Sequence, residues 1–516
     1  MEIQNNNEMI QPEGKTDEEF LTEDDTLNPK YTKGDTSFMG AFIQIGNTIL
    51  GAGIISLPVV IRYLGFILGI IFILIIGVLT VYSCFLLLKA HQITRKRKYA
   101  TIAHAAMGGK GYLFTLIMII LNNFGLSCVY FRIVGDTIQN IVGGYVSKDS
   151  FLVTNWHNFL YIIIILAIMC FIIWTEDFQK FEKTSFLGMV GIIIYCITLF
   201  ILFIYKLVEG FKPHHSLESY FINGEYTNLL ISLPSVFLSF SFQFNLFPIY
   251  SGLINRTHHE MLRVTEFSII FCLVLYIVTG IIGFLMYGNT LNDTILLAFL
   301  LDMQDENTNQ VMKILLIIIN IGFLVCATTS IPLVYYTLKQ NFFSAYKYLV
   351  KKGKGKNVEM DKEDENANSI NKPTEGETDN SDNEENNENK NTDNKDNEVG
   401  RMDSLASADN SIDDKAKKIK AHVSKKEEII ISTILYVTVG VVTILVPKLK
   451  SLFNIVGCTA ANAIQFIIPS LMIVCLGQKA EKLLNVLFAK LLLVFGFVSL
   501  IICLTAEIIH MFMSDP

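Results

Sequence analysis

Three stretches of this chain set neutral polar groups inside runs that are otherwise Leu, Ile, Phe and Val. The first, SFMGAFIQIGNTILGAGIISLP, carries Gly40, Gly46, Asn47, Thr48, Gly51, Gly53, Ser56 and Pro58. The second, SLPSVFLSFSFQFNLFPIYSG, carries Pro234, Ser239, Ser241, Gln243, Asn245 and Pro248. In the third, CATTSIPLVYYTLKQ, Thr328, Thr329 and Ser330 precede Pro332. Amides and hydroxyls of this kind bind solutes by hydrogen bonds, and several neutral oxygens together suit a hard cation. Acid–base chemistry is a poor fit, because the polar residues of the apolar runs include no Ser/His/Asp set, no paired carboxylates and no HExxH. The HHE at His258 to Glu260 falls in a polar connection.

The elements that must position these groups are legible from run length. A helix needs about 20 apolar residues to cross a hydrocarbon core. Eleven such windows occur, among them 36–61, 226–255, 314–338 and, last, 483–506, interrupted only by Lys490. An all-α polytopic membrane protein of 11 transmembrane helices is predicted, with the three polar stretches in the first, sixth and eighth. Two glycines flanking one residue in mid-membrane weaken a helix where no water can compensate, and unpaired backbone at that depth is tolerated only around a protein-enclosed cavity. Breaks in the first and sixth helices match two five-helix inverted repeats meeting at the midplane, plus one accessory helix. The alternative is ordinary packing of small residues.

Charge is segregated to match. The chain holds 41 Lys plus Arg against 48 Asp plus Glu, with 51% hydrophobic residues. Residues 1–36 carry ten acids and three lysines, and residues 357–400 carry fifteen acids, four lysines and twelve Asn. The apolar remainder is mildly basic without an exposed basic face, which excludes a nucleic-acid binder. Loops on the N-terminal side of the windows hold eighteen Lys and Arg and the opposite side eight, so the N-terminus is expected in the cytosol and the C-terminus outside or in a lumen. The layout is an acidic cytosolic tail (1–36), helices one to eight (37–345), a disordered Asn/Glu/Asp-rich cytosolic insert (346–426), helices nine to eleven (427–510) and a short tail (511–516). The first apolar stretch lies behind acidic residues and does not read as a cleavable leader. Nine cysteines, all in apolar stretches with no CxxC, indicate neither disulfides nor zinc. No cofactor is expected.

The strings GNTILGAGIISLP, FSFQFNLFPIY and TSIPLVYYTLK resemble the amino acid/auxin permease family, particularly its sodium-coupled neutral amino acid branch. The likeness covers about 36–345 and, more loosely, 427–510. It implies a LeuT-like fold that moves amino acids by alternating access. The family's substrate- and ion-linked Asn falls on Asn47, and its eighth-helix ion-site Thr on Thr328 or Ser330. A sixth-helix His of the sodium-coupled branch is replaced by Asn245.

A zwitterion needs donors for its carboxylate and acceptors for its ammonium. Amides near Gly53 and Ile54 supply the first, and carbonyls around Ser239 to Gln243 the second. The expected substrate contacts are Asn47, Thr48, Gly51, Gly53, Tyr130, Ser239, Phe240, Gln243 and Asn245, with Phe240, Phe242 and Tyr130 bordering the side-chain pocket. Gly46, Asn47, Thr328, Thr329 and Ser330 are the expected ion contacts. The first, sixth and eighth windows contain no Asp, Glu or His, which disfavours a cationic substrate and favours sodium over a proton as coupling ion. Asp136, four residues after Arg132, is assigned to an ion pair. Proton coupling on a vacuolar or lysosomal membrane, and an amino acid sensor or scaffold signalling through the acidic segments, stand as alternatives. Plasma and endolysosomal membranes both remain open.

Overall fold

Long apolar runs can satisfy their peptide groups away from water by forming helix, and that is what these do. The computed structural model describes residues 34–146, 158–174, 181–210, 226–288, 291, 294–305, 308–353, 425–446, 449–477 and 483–513. The acidic leader up to 33 and most of the acidic insert lie outside the described residues.

In chain order the helices are α1 (Phe38–Gly53), α2 (Leu57–Leu64), α3 (Phe66–Thr94), α4 (Tyr99–Gly143), α5 (Asn158–Ile168), α6 (Phe181–Val208), α7 (Tyr226–Ser239), α8 (Leu246–Gly252), α9 (His258–Tyr287), α10 (Ile295–Gln304), α11 (Gln310–Gly353), α12 (Lys425–Leu445), α13 (Leu449–Val456), α14 (Ile468–Leu476) and α15 (Leu483–Met513). Among the described residues, eight spans are long and apolar enough to cross a membrane, and α1 with α2, bent by 58° at their junction, make a ninth. Two of the eleven expected crossings are not among these nine; of the fourth window, 150–175, residues 150–157 and 175 lie outside the described ones. Its described part is α5 followed by a tight 3₁₀ turn, Met169–Trp174. The sixth is divided between the 14 residues of α7 and the 7 of α8.

Two compact units separate, residues 1–358 with 436–516, and residues 359–435. Of the second, the described part is the first half of α12. All that follows concerns the first unit.

Its helices run past their apolar windows. α11 continues to Gly353, eight residues beyond 345. α4 is kinked at Gly108, whose φ of 72° is open to glycine and strained for other residues. Between α13 and α14 the chain widens into two π-helical segments, Gly457–Ala461 and Ala463–Ile467. Gly457 lies there so close to the Pro234 carbonyl of α7 that a methyl group would overlap it. At one end of the bundle Thr36 pairs with the end of α8, donating its amide to the Gly252 carbonyl at 2.9 Å. The expected Arg132–Asp136 pair forms one turn apart on α4, at 3.1 Å.

Candidate functional site

The break in the first window lies at Ile54–Ser56, immediately after the paired glycines. Ser56 turns its amide and its hydroxyl back onto the Gly53 carbonyl, at 3.1 and 2.8 Å, and Pro58 enters the first turn of α2, where its missing N–H has no intrahelical partner. The glycines are there because other chains press in. A Cβ on Gly51 would overlap the Tyr130 hydroxyl, and one on Gly53 would overlap the Tyr276 hydroxyl and sit 2.8 Å from Ser239 Oγ. The Ile55 carbonyl accepts the Ile295 amide at the start of α10, at 3.4 Å.

The sixth window opens over a longer distance. α7 ends at Ser239, residues 240–242 are irregular, and one 3₁₀ turn (Gln243–Asn245) leads into α8. This stretch is held by its own side chains. The Phe242 amide donates to Gln243 Oε1 at 3.0 Å, the Ser241 hydroxyl reaches Asn122 Oδ1 of α4 at 3.4 Å, and the Thr337 hydroxyl of α11 reaches Asn245 Oδ1 at 3.4 Å. Phe240 stacks edge-on against Tyr276, their centroids 5.2 Å apart.

One hydroxyl ties the two breaks together. Tyr276 of α9 lies 2.5 Å from the Ile49 carbonyl and 2.9 Å from that of Ser239, so its single proton serves both. The Ser239 carbonyl, expected among the ammonium acceptors, is thus already engaged on one side.

Asn47, on α1, is fully buried, and neither its amide nitrogen nor its amide oxygen has a hydrogen-bond partner in the protein. Buried amides are nearly always satisfied, so a side chain left with both ends unmet marks a place built for something else to bind. Its oxygen faces Gly188 of α6, where a Cβ would overlap it and would lie 2.7 Å from Thr329 Oγ1 of α11. Helices from the first, fifth and eighth windows therefore meet at Asn47, Gly188 and Thr329. The buried amide nitrogens of Asn122, Gln243 and Asn245 are likewise without protein partners.

Several expected residues meet and others do not. Tyr130 meets Gly51, and its hydroxyl lies within reach of Ser330 and the Ala52 backbone. Gly46 packs on the Met189 methyl. Thr328, Thr329 and Ser330 all donate to carbonyls one turn back, at 2.7, 2.8 and 2.9 Å, which leaves their oxygen lone pairs for other donors or a cation. Of the three, Thr329 shares the Gly188 position with Asn47. Thr48 bonds back to the Gln44 carbonyl at 2.8 Å and meets none of the other candidates by hydrogen bond. Gly188, Asn122 and Tyr276 are absent from the residues expected on sequence alone. The adjacent amides Asn122 and Asn123 in an apolar run were a usable signal, whereas Gly188 and Tyr276 look like many others in their windows.

The backbone as a whole superposes on MhsT, from a crystal structure with L-phenylalanine, at a TM-score of 0.54, with 11% identity, covering 91% of this chain and 98% of that one. The fold is accordingly LeuT-like. Among sequence relatives, the amino acid transporter AVT6E of Arabidopsis thaliana is 24% identical over 61% of this chain and 64% of its own length. The vacuolar amino acid transporter 2 of Saccharomyces cerevisiae is 28% identical over 52% and 58%, and the sodium-coupled neutral amino acid symporter 2 of Danio rerio 23% over 60% and 64%. These three matches each span less than two thirds of the relative's length. The family described as transmembrane amino acid transporter protein, by contrast, matches residues 34–513. With the broken first helix, the buried amides around it and a match over nearly the whole length, this chain is a member of the transmembrane amino acid transporter family, an integral multi-pass membrane protein and not an enzyme.

Proposed function

We propose that this chain is a secondary active symporter that carries small neutral amino acids together with a cation, sodium in preference to a proton, by alternating access through eleven crossings arranged as five plus five and one. The observation that carries the reading is Asn47, buried with both amide ends unmet beside the Thr329 hydroxyl. Asn47 and Thr329 supply neutral oxygens, with backbone carbonyls near Gly46 to complete the ion's shell. The amides freed after Gly53 face the substrate carboxylate, and backbone carbonyls of the irregular stretch around Ser239 to Gln243 accept from its ammonium. One cation moving down about 100 mV releases about 2.3 kcal/mol, enough for a more than tenfold gradient of substrate.

The test is uptake of a panel of radiolabelled amino acids into vesicles or oocytes, with sodium replaced by choline and pH varied over roughly 5.5 to 8. Uptake lost in choline supports sodium coupling, and unchanged uptake in choline with strong stimulation by acid overturns it. A second reading, proton coupling on a vacuolar membrane, draws support from the relative named as a vacuolar transporter and from the buried carboxyl considered next.

A further inference from the structure

A carboxylic acid inside a membrane-spanning helix is costly unless it has work to do, and such residues usually face the interior of the bundle. Reading run length alone stops the last window at 506. The helix does not stop there. α15 continues to Met513, the span Asn485–Ile509 includes Glu507, and Glu507 faces the protein with 3% of its surface exposed. No cationic side chain among the described residues pairs with it.

Its partner is an amide. Asn454 of α13, 1% exposed, donates Nδ2–H to Glu507 Oε2 at 2.8 Å, and Asn454 Oδ1 accepts the Ser235 hydroxyl of α7 at 3.0 Å. The chain of contacts goes on from Ser235. Its carbonyl accepts the Ser239 hydroxyl at 2.7 Å, and the Ser239 carbonyl accepts from Tyr276, whose hydroxyl also reaches Ile49 in α1. A carboxyl on the last helix is thereby linked, through one amide, to the half-helix that ends at the sixth-window break and onward to the first.

We propose that Glu507 is a proton-binding site whose occupancy sets the state of this linkage and hence the pH dependence of transport. In the ionised form the carboxylate only accepts, so Asn454 must offer its N–H, and its oxygen is left to take the Ser235 proton. When a proton binds to Oε2, the new O–H donates, and the Asn454 amide turns over to accept it. Asn454 then offers N–H to Ser235 Oγ, and the Ser235 hydroxyl proton is returned to a carbonyl of its own helix. No atom is lost and the only addition is the one proton. Both hydrogen bonds of the Glu507–Asn454–Ser235 chain are thereby reversed, one turn before the end of the half-helix that stops at the sixth-window break.

On α15 itself the titratable groups near Glu507 are Cys503, one turn before it, and His510, three residues after it, with a side chain outside the described ones. Cys458, on the first π-helical segment, lies within electrostatic reach of Glu507, and Cys503 in turn lies within reach of Cys458. α14 adds Cys475, α7 adds Tyr226 at its far end, and the Ala463–Ile467 segment adds none. α13 carries Lys450 one turn before Asn454, with a side chain outside the described ones.

This inference rests on the transport reading, and the experiment separates the two. Radiolabelled neutral amino acid uptake and counterflow are measured with the full chain in vesicles over roughly pH 5 to 8, for wild type, Glu507→Gln, Glu507→Asp and Ser235→Ala. The expected result is wild-type uptake that changes about fivefold or more across the range, less than about twofold in Glu507→Gln with counterflow retained, and pH dependence restored by Glu507→Asp. Ser235→Ala, which keeps the carboxyl and cuts the link, should also flatten the profile. Should Glu507→Gln fail to reach the membrane, infrared difference spectra of the wild type on acidification, compared with Ser235→Ala, still report a protonated carboxyl. The same pH profile in wild type and Glu507→Gln, or no protonated carboxyl in the spectra, overturns the proposal. No amino acid movement by wild type at any pH overturns the transport reading instead.

Discussion

The two broken helices of this protein reach the same end by different means. In the first window the break is short and is enforced from outside: Gly51 and Gly53 have no side chains because the hydroxyls of Tyr130, Tyr276 and Ser239 occupy the space a Cβ would need. In the sixth the irregular stretch is longer and is supported from within, by Gln243 holding its neighbour's amide and by Ser241 and Asn245 reaching α4 and α11. A break imposed by close approach tolerates no added atom. One maintained by several weak polar contacts tolerates the loss of any single one. The first should therefore be the less mutable of the two, and Tyr276, which touches both, should couple them.

Gly53→Val puts the difference under greatest stress, since the new side chain must displace Tyr276 or Ser239 inside a packed layer. Destabilisation of about 3 kcal/mol or more in detergent melts, with loss of transport, is expected; a variant that melts and transports like wild type would refute the account of the first break. Asn47→Ala removes a side chain with no partner in the protein, so thermal stability should stay within about 1 kcal/mol of wild type. Concentrative uptake should nevertheless fall by about tenfold or more, and normal transport in that variant removes Asn47 from the site. Tyr276→Phe leaves two buried carbonyls without their shared donor, for a cost of about 1–3 kcal/mol. Its effect should be non-additive with that of Gly53→Ala, measured by a double-mutant cycle, because the phenol oxygen is what crowds Gly53. Additivity would mean that the two breaks are independent. Ser241→Ala is the mildest, about 1 kcal/mol or less, because the 3.4 Å contact with Asn122 is one of several supports; a loss as large as that of Gly53→Val would reverse the comparison.

Much of this architecture could be read from residue order. The long apolar runs specify helices wherever they are placed in lipid, because no other local structure satisfies their peptide groups. Gly51, Gly53 and Pro58 announce the first break, and Pro234, Pro248 and the Ser, Gln and Asn between them announce the sixth, because backbone freedom and competing hydrogen bonds are properties of residue type. The ends of helices were less legible. Apolarity stopped the last window at 506 and the eighth at 338, yet α15 continues to Met513 and α11 to Gly353, since the backbone hydrogen bonds of a helix do not depend on apolar side chains.

The choice among Thr328, Thr329 and Ser330 was not available from spacing. Three consecutive hydroxyls point in three directions around a helix, and only the approach of α6 selects Thr329 to stand beside Asn47. The same holds for Gly188 and Tyr276, ordinary residues in their own runs that become contacts when distant helices pack, and for Glu507, which looks like a boundary residue until Asn454 is brought to it from 53 positions away. By itself the order of residues determined which segments are helical and where two of them must open, because those outcomes depend on each segment's own peptide groups. Which side chains meet across the openings was decided by tertiary packing alone, because a hydrogen bond needs its two ends within about 3 Å and no pattern within a single run encodes that distance.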